Sequence, residues 1–128
     1  MKIYKPSTKP VTCPLEETEQ ITFVNWLSIN HPQYRILMTH AKNEGKRTKM
    51  QADKDKAMGM NAGTSDIIII HRVPFVCELK RVDPSKGRPS KEQLEYLRAA
   101  HQAGAFACLC YGHEQVIRAL NDWLKVIS

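Results

Sequence analysis

Gly63-Thr64-Ser65-Asp66-Ile67-Ile68-Ile69-Ile70-His71-Arg72-Val73-Pro74-Phe75-Val76-Cys77-Glu78-Leu79-Lys80 decides how this chain folds. Ile67 to Ile70 is β-branched with no polar face, the pattern of a central strand buried on both sides. His71 to Pro74 reads as a turn, and Phe75 to Lys80 as the next strand. Alternation sends Phe75, Cys77 and Leu79 to one face and Val76, Glu78 and Lys80 to the other. Two charged side chains thus share one face of an otherwise apolar strand. An exposed edge strand would explain them, because burying an unpaired charge is costly. Asp66, directly ahead of the first strand, points elsewhere. With Ile70 opposite Phe75, Asp66 would oppose Leu79 and its side chain would take the wrong face. A turn longer or shorter by one residue sets Asp66 across from Glu78 or Lys80. Asp66 can also escape the alternation by preceding the regular strand. Either way two carboxylates come close, and close like charges ask for a cation between them. Hard carboxylate oxygens, a backbone carbonyl such as that of Leu79, and waters suit Mg²⁺ or Mn²⁺. Lys80, on the Glu78 face, is suited to orient a water and offset developing phosphorane charge.

Working outward, Leu15 to Ile29 reads as a helix after Pro14, with Glu16, Glu17 and Glu19 at the positive end of its dipole. Phe23, Val24 and Leu27 share one face, and Gln20 and Glu16 continue it backwards. His31-Pro32 ends the helix. Residues 1–14, with Pro6, Pro10 and Pro14, read as an extended arm. Tyr34 to His40 reads as a strand, and Lys42 to Thr64 as a polar stretch with a short helix over Thr48 to Met58. Asp83 to Pro89 is a basic loop. Ser90-x-x-Gln93 has capping-box form and opens a helix to Gln102, stopped by Gly104. Ala105 to Tyr111 is a strand, and His113 to Val126 an amphipathic helix. The sum is one α/β domain over residues 15–128, a mixed, mainly antiparallel sheet flanked by helices.

The chain has 128 residues, 42% hydrophobic and 25% charged, with a formal net charge of +6. That composition is globular and excludes a disordered, collagen-like or coiled-coil chain. No apolar run suits a membrane helix, and the start has no apolar signal core, so a cytoplasmic protein is expected. The basic balance suggests an anionic partner. Lys42, Lys46, Arg47 and Lys49 form one basic cluster; Arg81, Lys86, Arg88 and Lys91 form another beside the paired acids. Aromatics do not interleave with these charges, which gives base stacking little support. The four cysteines, Cys13, Cys77, Cys108 and Cys110, contain no CxxC pair and read as small core residues. His40, His71 and His113 read as structural or exposed.

Asp66 followed by Glu78-x-Lys80 resembles the PD-(D/E)xK nuclease signature. Glu16-x-x-Glu19-Gln20 with Phe23, Val24 and Trp26, then Asn43-Glu44-Gly45-Lys46-Arg47, Ala62-Gly63-x-x-Asp66, Glu78-x-Lys80 and Ser90-x-x-Gln93, follow the order of VRR-NUC domains. The small stand-alone phage and prophage versions are the most similar. Ser65 stands where the signature has proline. The resemblance covers residues 15–126 and implies a restriction-endonuclease-like core and metal-dependent hydrolysis of DNA, in the host-cell cytoplasm if the chain is phage-encoded. It implies Asp66 and Glu78 as metal ligands, Lys80 as catalytic lysine and Gln93 as a supporting polar residue. From the first helix it implies a glutamate, with Glu16 preferred over Glu17 and Glu19. A structure-selective endonuclease, resolving four-way junctions as a homodimer, is the leading expectation. A nuclease of little structural preference, in DNA processing or packaging, and a non-cleaving binding module are the alternatives. Ile3 and Tyr4, or the final helix around Trp123, are the surfaces expected to form the dimer.

Overall fold

The computed structural model describes residues 1–41 and 48–128. Five strands form one sheet: β1 (Lys2–Tyr4), β2 (Met38–Thr39), β3 (Ile67–Ile69), β4 (Phe75–Lys80) and β5 (Phe106–Tyr111). Their spatial order is β1-β5-β4-β3-β2. The β2–β3 and β3–β4 pairings are antiparallel, and β4–β5 and β5–β1 are parallel. Parallel neighbours need a crossover. Helix α4 (Lys91–Gln102) provides it between β4 and β5. The remaining helices are α1 (Glu16–Asn30), α2 (Pro32–Arg35), α3 (Lys49–Ala57) and α5 (His113–Ile127).

The alternation in Phe75 to Lys80 sorts the core into two layers. Phe75, Cys77 and Leu79 pack with Phe23 and Leu27 of α1 and with Val116, Leu120 and Trp123 of α5. Val76 lies on the other face, with Leu97 of α4 and with Ala107 and Leu109 of β5. Glu78 and Lys80 share that second face, where Gln93 of α4 reaches Glu78 and Gly87 of the preceding loop lies beside the Lys80 side chain. All six β4 residues are buried, which excludes the exposed-edge explanation of its charges.

Several elements differ from the sequence reading. The strand expected over Tyr34 to His40 is divided. Pro32, fixed in φ and lacking an N–H, starts the single-turn α2 instead. Only Met38 and Thr39 pair, with Ile69 and Ile68. The isoleucine run is one strand in from the edge rather than central. It ends at Ile69, and Ile70 is exposed. β4 holds the centre, where burial on both faces is greatest. The expected arm begins as an edge strand, with Ile3 opposite Leu109. Tyr4 and Trp123, considered for a dimer contact, are buried inside the subunit. The Tyr4 hydroxyl donates to Asp122 at 2.7 Å, and the Trp123 indole N–H to the Val73 carbonyl at 2.7 Å. The short helix after Thr48 forms as expected, with the Thr48 hydroxyl accepting from the Gln51 N–H.

Candidate active site

The β3–β4 register is fixed by Ile69 opposite Phe75 and Ile67 opposite Cys77. Continued one step, it aligns Asp66 with Glu78. Asp66 also lies just ahead of the regular strand, so its carboxylate is free of the pleat. Its Oδ2 accepts the Leu79 N–H at 2.9 Å. Gly63 makes this approach possible. A Cβ there would overlap the Glu92 carbonyl at the start of α4, so the loop into Asp66 seats against α4 only with glycine.

Glu78 has no solvent exposure. Its Oε1 accepts from the Gln93 side-chain amide at 2.9 Å and lies 3.7 Å from the Lys80 ammonium. Among the described residues, its buried Oε2 has no hydrogen-bond partner. Glu16, at the start of α1, completes the group: carboxylate oxygens of Glu16, Asp66 and Glu78 lie within 4.8 Å of one another. Burial, and then the Asp66 charge, push the Glu78 carboxyl up to about 9, even with Lys80 pulling the other way. Burial also raises Glu16; Lys80 opposes that shift and Asp66 adds to it. A neutral acid beside two others, with one orphan oxygen, is a site built for a positive charge. The donor set passes the same test, being three carboxylates with only hard oxygen atoms.

The resemblance preferred Glu16, with Glu17 and Glu19 as alternatives. Helical geometry separates them: Glu17 is exposed, and Glu19 turns away to bond His113 at 2.6 Å. Gln93 both caps α4 and touches Glu78. Its Oε1 accepts the Ser90 N–H, the Ser90 hydroxyl accepts the Gln93 N–H, and its amide nitrogen reaches Glu78. Arg81 is committed to the chain itself, donating to the carbonyls of Cys13 and Pro14. Lys49, Lys86 and Arg88 are exposed. Lys42, Lys46 and Arg47 lie outside the described residues, as do Asn43, Glu44 and Gly45.

His40, read from the sequence as structural or exposed, is a neighbour of the acids. The His40 Nδ1 lies 2.7 Å from the Asp66 carbonyl oxygen. Only pairing of the β2 and β3 ends brings residues 26 apart together, and nothing local in the sequence signals it. The expected packing role of the cysteines holds for Cys77, Cys108 and Cys110, all fully buried. The pairing of Cys77 with Cys108 gathers their sulfur atoms with that of Cys110 within 4.8 Å, closer than the sequence spacing suggested. Burial in the apolar layer pushes the Cys77 and Cys108 thiols up, which keeps them protonated.

No family model matches the chain, and no curated protein matches it. Among solved structures it is similar to a chain described as a VRR_NUC domain protein. The two superpose with a TM-score of 0.70 over 92% of each chain, at 22% identity. The chain therefore shares the fold of that VRR_NUC domain protein, a mixed α/β core.

Proposed function

We propose that this protein is a divalent-metal-dependent DNA nuclease. The observation that carries the reading is the orphan Oε2 of Glu78, buried beside Asp66, Glu16 and Lys80. Asp66, Glu78 and Glu16, with the Leu79 carbonyl, would hold Mg²⁺ or Mn²⁺. The cation, when bound, supplies Lewis-acid charge against the phosphodiester oxygens. Gln93 fixes the Glu78 carboxylate through Oε1 and leaves Oε2 for the metal. Lys80, nearly buried and held near Glu78, orients the attacking water and offsets charge that develops at phosphorus. Lys49, Lys86 and Arg88 offer exposed charge to flanking phosphates, joined by Lys42, Lys46 and Arg47. Arg81, by tying the arm to the strand end, shapes the rim of the site.

The finer reading is selectivity for branched DNA by a homodimer, since resolving a four-way junction takes two sites related by a two-fold axis. The test is incubation with labelled linear, flap and four-way DNA in Mg²⁺, Mn²⁺ or EDTA. Cleavage with metal and none in EDTA is expected, fastest on the junction. Cleavage in excess EDTA would overturn the mechanism. Equal rates on linear and branched DNA would leave a nuclease of little structural preference. Metal-independent binding with no cutting would leave a binding module.

A further inference from the structure

The regular β2–β3 ladder stops before Asp66. Its last pairs are Met38 with Ile69 and Thr39 with Ile68. Among the described residues the Asp66 carbonyl therefore has no strand partner, and a side chain serves instead: His40 Nδ1, at 2.7 Å. A carbonyl can only accept, so Nδ1 carries the proton in this pair. The Gln20 amide nitrogen, 3.4 Å from the same Nδ1, then makes a contact rather than a hydrogen bond. Gln20 lies one helical turn beyond Glu16 on α1. His40 thus stands where the Asp66 backbone meets the helix that carries Glu16. Asp66 is held at two points, its carboxylate by the Leu79 N–H and its carbonyl by His40. Such a hold restricts the peptide whose side chain faces the other two acids. Without it, this half-buried loop end would sample several orientations and dilute the cluster.

We propose that His40 is a positioning residue that fixes the Asp66 peptide through Nδ1 and so aims its carboxylate at the cation shared with Glu78 and Glu16. This rests on the metal-site reading above. Its effect is on cation affinity rather than on DNA contact, because His40 acts through Asp66. Loss of a partner that orients a ligand typically weakens metal binding by about 10- to 100-fold.

The test uses the full chain with Mn²⁺ alone, read by calorimetry and by the Mn²⁺-dependent rise in Tm, beside duplex binding in EDTA. His40→Ala should raise the Mn²⁺ Kd by about tenfold or more, with the metal-free Tm and DNA affinity in EDTA unchanged. The side-chain amide of Asn reaches where Nδ1 stands, and that of Gln reaches where Nε2 stands. His40→Asn should therefore restore most of the Mn²⁺ affinity, and His40→Gln should not. Wild-type Mn²⁺ affinity in His40→Ala would overturn the inference alone. So would equal loss in the Asn and Gln variants together with weakened DNA binding in EDTA, which would make His40 a phosphate contact. Wild-type protein that takes up no Mn²⁺ would overturn the metal site, and this inference with it.

Discussion

Glu78 is the residue where fold and chemistry conflict. Its carboxyl is protonated in both the folded and unfolded chain below about pH 4.5, so it costs nothing there. As pH rises, the unfolded chain releases the proton while the folded one retains it to about pH 9. The unfolded state therefore binds fewer protons across that interval, and metal-free stability falls as pH rises. Glu78→Gln keeps the shape and removes the charge. Its Tm without metal should exceed wild type by several degrees at pH 8 and approach it near pH 4.5, while Mn²⁺ binding and cleavage are lost. Differential scanning calorimetry at the two pH values checks this; wild-type stability independent of pH would contradict the buried-acid account. Lys80→Ala should lower turnover of bound DNA by roughly two to four orders of magnitude, the usual span for losing a positioned charge or acid–base group. Metal affinity should change little. Normal single-turnover rates with weakened DNA binding would make Lys80 a phosphate anchor.

At the scale of elements, the start of α4 has a structural and a chemical task. Ser90 takes part in the first and Gln93 in both. Ser90→Ala should cost about 1 kcal/mol of stability, the usual loss for a removed N-cap, and leave cleavage near wild type. Gln93→Ala should cost a similar amount of stability, yet also lower cleavage, because the Glu78 Oε1 loses its amide donor. Equal activity in the two variants, measured beside urea unfolding, would reduce Gln93 to a cap. Gly63 links the same helix to Asp66. Gly63→Ala forces its loop off the Glu92 carbonyl and should cost roughly 1–3 kcal/mol, the range for overpacking. The capping box is legible in the sequence, because it is a local pattern at fixed spacing. The division of Tyr34 to His40 into a helical turn and a two-residue strand is not. Its outcome depends on how far β3 extends beside it, a non-local quantity.

At the scale of the whole molecule, the formal charge of +6 frames the encounter with DNA. Affinity for duplex should fall with salt, with a slope near −0.9 per phosphate neutralised. Lys86→Ala with Arg88→Ala, or Lys46→Ala with Arg47→Ala, should flatten that slope by up to about two units. The pair that leaves it unchanged lies off the DNA path. On the homodimer reading, light scattering at micromolar concentration should give twice the chain mass, and the junction should be cut in symmetric pairs. Burial of Tyr4 and Trp123 leaves, of the surfaces named from the sequence, the exposed Ile3 on the edge strand and the exposed Val126 on the final helix for that contact. A strict monomer nicking linear duplex as fast as a junction would remove the two-fold model. Among the described residues, no helix is long and apolar enough to cross a membrane.

The amino-acid order by itself determined what short-range physics governs. It marked the β4 alternation that sends Glu78 and Lys80 to one face, the cap at Ser90, the apolar faces of α1 and α5, and the proximity of Asp66 to Glu78. Strand and helix periodicity carry that information within a few residues. Tertiary structure decided which glutamate of α1 joins the acids, because Glu16 and Glu19 differ by less than one turn yet face different neighbours. It also decided that Lys80 is buried, that Arg81 is tied to the arm, and that His40 reaches the Asp66 carbonyl. These depend on contacts between residues far apart in the chain. Such contacts follow from how the helices seat on the sheet, and no local pattern records them.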